Sequence, residues 1–287
     1  MNYDQLFSFV AFAEHLNFTR AAGQLHISQP ALHVQIAKLA ESVGFPLYRR
    51  KGRALSLTVE GARLAAFGRE VKERGQCVLD ELHGAAHSGP VVLAAGEGSF
   101  LYLLGSAIRR FSKQRWPLRL LPMRGPETIE AVRDSRAHLG VIAADVPPPD
   151  LEALALRSIG QVVILPASHR LSQRQRVVPR DLSGEQIVVA PVGNPHRTML
   201  AQALSAARVD WKVAVEATGW ELVLHFARCG VGIAVVNDFC TVPRGMVAVP
   251  LEGVARVTYF LLRRTGLRNQ QADALHRLII ETTAGPG

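Results

Sequence analysis

Between Asn17 and Arg53 the chain reads NFTRAAGQLHISQPALHVQIAKLAESVGFPLYRRKGR, a run that sets two helix starts, a tight turn and a cationic hairpin in close succession. Upstream of it, Leu6, Phe9, Val10 and Ala13 recur at helical intervals. Asn17 or Thr19 can cap a second, short helix in which Ala21 and Ala22 allow a close crossing. Ile27 fills the turn that follows. Ser28 is a good cap for a third helix from Gln29, and Pro30 falls in its first turn, where the missing N–H costs nothing. On a 100° wheel Leu32, Ile36, Leu39 and Val43 make one core stripe. Pro30, Val34, Ala37, Lys38 and Glu41 face away, with His33 on the flank.

An outward Val34 beside an outward Ala37 is odd on a solvated helix, but short groups of this kind suit base edges and thymine methyls in a major groove. Gln29, at the helix start, is a hydrogen-bonding reader suited to adenine. Phe45 to Tyr48 lead into Arg49, Arg50, Lys51, Gly52 and Arg53, and Leu55 and Leu57 follow. This predicts a wing whose cations meet phosphates or a minor groove. A plain three-helix core with a solvated loop fits the same helices, so the position of charge carries weight. From Arg20 to Arg53 there are six Lys or Arg and one acid, Glu41. That focusing is what phosphate contact needs. The candidate DNA-contacting set is Thr19, Arg20, Ser28, Gln29, Pro30, His33, Val34 and Lys38 from the helices and Arg49, Arg50, Lys51 and Arg53 from the wing.

Phe18, Thr19, Arg20, Ala21, Ala22, Leu25, Ser28, Gln29, Pro30, Ala31, Leu32, Gln35, Ile36, Leu39, Glu41, Gly44, Pro46, Leu47, Arg50, Leu57, Thr58 and Gly61 stand in the order of the N-terminal pattern of LysR-type transcriptional regulators, which this chain resembles. The resemblance implies a winged helix-turn-helix, a long dimerising linker helix and a two-lobed effector domain similar to periplasmic binding proteins. Two positions depart from it. Many members carry Ser then Arg where this chain has His33 and Val34, which implies an altered operator preference.

At 287 residues with 48% apolar content, the chain has material for more than one core. No apolar stretch reaches membrane-spanning length, and Asp4 and Glu14 sit where a secretory signal would be basic and then apolar. The expected location is the cytoplasm. Cys77, Cys229 and Cys240 show no metal-ligand spacing and suit a reducing compartment. The net charge of +9 lies mostly beyond residue 90, so overall basicity says little about nucleic acid.

After the wing, Thr58 can cap a proline-free helix to about His87. Gly61, Gly68, Gly75 and Leu82 fall seven apart, as do Leu64, Val71, Val78 and Ala85, together a seam at 3.5-residue spacing. Each interior glycine costs about 1 kcal/mol relative to alanine. Close approach of a partner helix would account for that cost, with Leu64, Gly68, Val71, Gly75, Val78 and Leu82 as dimerisation residues. A spacer helix packed on its own domain is the competing reading.

Ser88, Gly89 and Pro90 mark a boundary, and strands then alternate with helices. Strands are expected at 91–95, 118–121, 139–143, 162–165, 187–190, 212–216 and 233–236. Helices are expected at 101–111, 127–136, 196–207 and 219–229. A return strand at 257–262 and a closing helix at 270–280 go back to the first lobe in the resembled family. The fold class is an α/β effector domain of two Rossmann-like lobes, preceded by an α-helical winged helix-turn-helix and a linker helix. Expected boundaries are 1–58 for the DNA-binding domain, 59–88 for the linker and 89–287 for the effector domain. Its first lobe is set at about 89–157 and 265–287, and its second at about 158–264.

Ligands in such sheets bind beyond the carboxyl ends of the strands. That rule selects Ser99, Phe100, Arg124, Gly125, Thr128, Asn194, Arg197, Thr218 and Trp220. Ser99, Thr128, Asn194 and Thr218 offer polar groups beside helix N–H donors, suited to a carboxylate or another small anion, although caps need the same residue types. Ser99 and Thr128 fall where the resembled family contacts its effector.

Catalytic patterns are missing. Gly96-Glu97-Gly98-Ser99 has Leu101 where a nucleophile elbow needs glycine, and Gly230-Val231-Gly232 lacks the third glycine of a dinucleotide fingerprint. Cys229 and Cys240 fit a redox pair or, more simply, small hydrophobes. The expectation is a non-enzymatic, effector-responsive regulator without cofactor or metal. Its partners are double-stranded DNA, a small-molecule effector with an anion as the candidate class, further copies in a homodimer or homotetramer, RNA polymerase, and no membrane. The alternative is an α/β enzyme or solute-binding module that carries a helix-turn-helix.

Overall fold

The computed structural model describes residues 2–52, 54–82, 89–266 and 269–283. Three helices open the chain, α1 (Tyr3–His15), α2 (Phe18–Gln24) and α3 (Gln29–Val43), each capped by the side chain that precedes it. Asn2, Asn17 and Ser28 accept from the N–H groups of Asp4, Arg20 and Ala31. Phe9, Phe12, Ala21, Leu32, Ile36 and Leu39 close a small core. Strands β1 (Tyr48–Lys51) and β2 (Ala54–Leu57) then pair antiparallel, and Leu47, Tyr48, Leu55 and Leu57 anchor the hairpin on that core. Arg53 lies outside the described residues, and of Lys51 only the backbone is described.

Helix α4 runs from Val59 to Leu82. Thr58 caps it, its hydroxyl accepting from the Gly61 N–H at 2.9 Å and donating to the Pro46 carbonyl at 2.7 Å. The expected continuation to His87, the boundary at Ser88 and the seam position Ala85 lie outside the described residues. The glycine seam needs correcting. A Cβ on Gly61 would stand 1.8 Å from the Leu47 carbonyl oxygen, and one on Gly68 would stand 2.5 Å from Val10 Cγ2. Leu64 likewise packs on the head's core. The first half of the seam is therefore spent within the chain, as in the competing spacer reading, and only around Gly75 is there open space.

The remainder forms two five-stranded mixed sheets. The first, in order β4-β3-β5-β12-β6, takes β3 (Val91–Ala95), β4 (Leu118–Pro122), β5 (Leu139–Ala144), β6 (Glu152–Ile159) and β12 (Val257–Arg263). The second, in order β11-β7-β10-β8-β9, takes β7 (Gln161–Pro166), β8 (Gln186–Val189), β9 (Lys212–Glu216), β10 (Ile233–Asn237) and β11 (Met246–Leu251). Helices α5 (Gly105–Ser112), α6 (Gly125–Arg133) and α9 (Gln270–Thr283) cover the first sheet, and α7 (Pro195–Ala206) and α8 (Trp220–Arg228) the second.

Three expectations change. Strand β12 pairs with β5 and β6, so the chain is back in the first lobe by Val257 and not at 265. The helix placed at 101–111 is broken into a π-turn over Ser99–Leu103, closed by the Leu104 N–H on the Ser99 carbonyl at 2.8 Å, and then α5. Strands β6 and β11 join as edges that the apolar runs of the sequence do not mark.

The linker helix is tied to the first lobe of its own chain. Arg69 donates to the Asp134 carbonyl, Arg264 pairs with Glu70 at 3.2 Å, and Glu73 accepts from His138 at 2.9 Å and from Asn269 at 3.2 Å. The Val92 N–H donates to His138 Nδ1, which leaves the proton on Nε2 for Glu73.

Candidate DNA and effector sites

The outward face of α3 stands as the wheel places it. Leu32, Ile36 and Leu39 are fully buried, while Val34 is 52% exposed on the opposite side with Pro30, Ala37, Lys38 and Glu41. Gln29 is exposed at the start of the helix and its Oε1 accepts from the Thr19 hydroxyl at 3.2 Å. His33 lies flat on Phe18, ring centroids 3.6 Å apart, so its imidazole edge is held rather than free to sweep. Ser28 is spent as the cap of α3. On the wing the Arg50 guanidinium donates to the Gly52 carbonyl and that of Arg49 to the Ser56 hydroxyl. Both stay exposed, as does Arg20.

The effector candidates gather at the carboxyl ends of the two sheets but divide by role. Ser99 is buried in the π-turn, and Thr128 is fully buried with no hydrogen-bond partner for its hydroxyl. Gly125 opens α6, where the exposed Arg124 gives its backbone N–H to the Glu127 carboxylate at 3.0 Å. Phe100 packs, half-buried, against the first-lobe core. Asn194 caps α7 by accepting from the His196 N–H at 2.9 Å. The Arg197 guanidinium sits 4.4 Å over the Trp211 ring, so the structure engages it on an aromatic face. Thr218 is exposed on the loop before α8.

Trp220 joins the lobes. A Cβ on Gly98 of the first lobe would stand 2.5 Å from its indole Cδ1, so only a glycine lets the ring settle there. Beside it, the Tyr102 hydroxyl from the first lobe hydrogen-bonds to the Glu221 carboxylate from the second. Burial and that carboxylate push the Tyr102 phenol well above its usual range.

Behind this contact runs a buried polar chain that sequence reasoning missed. The His196 ring meets Trp220 edge-on at 4.6 Å, and its Nε2 is 2.8 Å from Gln161 Oε1. Gln161 donates to Asn237, and Asn237 donates to the Tyr259 hydroxyl on β12, so the chain of bonds crosses from lobe to lobe. With the Gln161 amide nitrogen turned to Asn237, its Oε1 faces His196 and can only accept, so His196 Nε2 is the donor. Burial pulls its pKa down to about 4, which keeps the ring neutral. These residues sit on four separate segments with no shared period, and only the proline-led start of α7 marks His196.

A winged helix-turn-helix, a long helix and a two-lobed α/β domain with a polar seam between the lobes together define a DNA-binding regulator with an effector domain. Family models match both parts: the bacterial regulatory helix-turn-helix protein of the lysR family over residues 3–62, and the LysR substrate binding domain over residues 84–284. The chain belongs to the LysR-type transcriptional regulators. It is 27% identical to a RuBisCO operon transcriptional regulator of Allochromatium vinosum, covering 98% of this chain and 95% of that one. It is 29% identical to the transcriptional activator protein LysR of Escherichia coli over 77% and 72% of the two chains. The fold is shared with a full-length OxyR variant of Pseudomonas aeruginosa, with a TM-score of 0.78, 20% identity and coverage of 99% and 95%. It is also shared with full-length CbnR in complex with its target DNA, with a TM-score of 0.62, 18% identity and coverage of 98% and 100%. Among the described residues no helix is long and apolar enough to cross a membrane.

Proposed function

We propose that the chain acts as a homodimer or homotetramer in the cytoplasm, reading a roughly palindromic operator through α3 while the wing holds the phosphate backbone. A small molecule between the lobes would shift the spacing of the reading heads, through differential binding to two arrangements of the assembly. The observation that carries the DNA reading is the exposed Val34 and the hydroxyl-held Gln29 on one face of α3, beside exposed Arg49 and Arg50. Support for the effector reading comes from the buried, unpartnered Thr128 hydroxyl at the carboxyl end of the first sheet, an atom that a ligand or an enclosed water would satisfy. RNA polymerase is a further partner in this reading.

An electrophoretic mobility assay on the chain's own upstream DNA tests the first half. A discrete complex that survives excess unrelated duplex is the expected result. Equal affinity for both duplexes would remove sequence-specific reading.

A further inference from the structure

We infer that the linker helix α4 is held to the first lobe by a releasable latch, in which Glu70 is shared between Arg264, just past the end of β12, and Arg74, one turn along its own helix. The latch supplies two arrangements of head and effector domain, and its control from the cleft rests on the reading that the inter-lobe cleft is the effector site.

The chemistry of the contact suits release. Among the described residues no α4 side chain joins the apolar clusters of the first lobe, so polar groups make the contact. Arg69 donates to the Asp134 carbonyl at 2.7 Å, and the Ser135 hydroxyl reaches the Ala66 carbonyl at 3.5 Å. Glu73 accepts from His138 and Asn269, and against the cost of burial these bonds hold its carboxyl below the usual carboxylate range. A cavity of about 20 Å³, enough for one water, lies among Glu73, His138, Arg263, Arg264 and Asn269. Hydrogen bonds of this kind exchange for water at small net cost, whereas buried apolar area does not.

The docked state also carries a cost of its own. Arg69 Nε is buried against the lobe with no hydrogen-bond partner, and burial lowers the pKa of that guanidinium. Lifting α4 off the lobe returns the N–H to water and relieves that cost.

Glu70 makes the two states discrete. Its Oε2 is 3.2 Å from Arg264, and its Oε1 is 2.9 Å from Arg74 four residues on. When α4 leaves the lobe, Arg74 keeps the carboxylate and gains both oxygens, so release does not strand the charge. The two arginines thereby act in opposite directions. Arg264, its side chain 17% exposed, supports the docked state alone, while Arg74, 62% exposed, supports the released state undivided and the docked state by half.

The latch sits on the strand that also reaches the cleft. Tyr259 of β12 accepts the Asn237 amide from the second lobe at 3.0 Å, and the pairing of β12 with β6 slips in register between Tyr259 and Phe260. A bulge is where a strand re-aims its side chains. From Tyr259 to Arg264 the chain advances five residues, about 17 Å at the rise of a strand. Arg263 is tied to Glu152 and Asp273, which fixes that end of β12 within the lobe. Movement of the second lobe at Tyr259 is therefore carried to the partner of Glu70.

A cysteine under α4 reports release. In the full chain with Ser135→Cys, labelling by N-ethylmaleimide is followed by mass spectrometry on the peptide that holds residue 135, and its rate reads how often the latch opens. Arg264→Gln should speed labelling about fivefold or more, Arg264→Lys should speed it less, and Arg74→Gln should slow it about twofold. Labelling of buried Cys240 should stay unchanged throughout, which marks the effect as local and the fold as intact. Two ordinary structural ion pairs would give changes of the same sign. Like-signed changes at Arg264 and Arg74, no change at either, or Cys240 labelling that rises in step with residue 135 overturn the latch. Tyr259→Phe, which removes the bond from Asn237, should alter the rate at least about twofold with Arg264 present and leave it unaltered in the Arg264→Gln background. Opposite signs at Arg264 and Arg74 with no response to Tyr259→Phe leave the latch standing and overturn its control by the cleft.

Discussion

The Thr19 hydroxyl donates to Oε1 of Gln29 across 3.2 Å, tying the first turn of α2 to the first turn of α3. A glutamine reads adenine by presenting its amide in one plane, and a held amide loses less rotamer freedom on binding than a free one. Gln29→Ala should therefore cost about 1–3 kcal/mol at one base position and relax preference there. Thr19→Val should lose part of that discrimination without touching a base. Competition binding against single-base operator variants gives the answer; a Thr19→Val preference profile identical to wild type would show that the tether does not matter.

In the proposed DNA reading Arg50 belongs to the other half of the interface. Its guanidinium is braced on the Gly52 carbonyl and exposed at the wing, a placement for phosphate rather than base contact. Arg50→Ala should weaken all duplexes alike and flatten the logarithmic salt dependence by about one unit. A base-selective loss at Arg50, equal in pattern to that of Gln29→Ala, would reject this division of labour.

His196 sets an acid limit on stability. Its folded pKa of about 4 lies below the ordinary 6.5, so between those values the unfolded chain binds more protons than the folded one. The sign follows: the neutral ring imposes no penalty above pH 6.5, and stability falls as pH drops from 6.5 toward 4, by at most about 3 kcal/mol for full burial. Urea midpoints measured at about pH 7.5, 6.0 and 5.0, which bracket that window, should decline. His196→Gln should flatten the decline relative to wild type. Parallel curves for the two proteins would place the titrating group elsewhere.

The reading head is legible in the sequence because its signals are local. Caps at Asn17 and Ser28, a proline at the second position of α3 and a core stripe at 32, 36 and 39 all act within a turn or two of each other. The two sheets follow from apolar runs for the same reason, apart from their edges. β11 carries Pro250, tolerated because β11 is an edge strand whose outer side meets only the isolated bridge at Val177, and β6 alternates poorly, with Arg157 and Ser158 exposed. The lobe contact is illegible because it is made of long-range pairs. Gly98 with Trp220 and Tyr102 with Glu221 are each more than a hundred residues apart, and no local rule links a glycine to the ring that needs it.

The glycines of α4 also separate by what surrounds them, and that reverses the sign of the same substitution. Gly61→Ala puts a methyl within 1.8 Å of the Leu47 carbonyl oxygen and should destabilise the head by about 1–3 kcal/mol or more. Gly75→Ala meets nothing within 4 Å and should stabilise the helix by up to about 1 kcal/mol. Thermal unfolding of the full chain checks both, and a like-signed change would mean that the α4 packing is misassigned.

What Gly75 faces is the remaining question of α4, and the exposed apolar side chains around it define an answer. Phe67 at 45%, Val78 at 54% and Leu82 at 76% exposure line one face of the helix, about a quarter turn round the axis from Gly61 and Gly68. Leaving three such groups in water is unfavourable by about 25 cal/mol for every Å² that a partner could cover. In the proposed homodimer a second copy of α4 would cover them with the same stripe, as a two-fold interface requires. Paired Val78→Lys and Leu82→Lys changes should then raise the dimer dissociation constant by more than about tenfold, since they set like charges against each other across the seam. Gly75→Leu should also weaken the dimer if the helices cross closely there. Gly68→Ala serves as the internal contrast: its Cβ points at Val10 and Leu6 of the same chain, so it should lower the melting temperature and leave association unchanged. Sedimentation equilibrium on wild type and the three variants decides the matter. Loss of association in Gly68→Ala, with wild-type affinity in the double lysine variant, would move the seam back to the head-facing side.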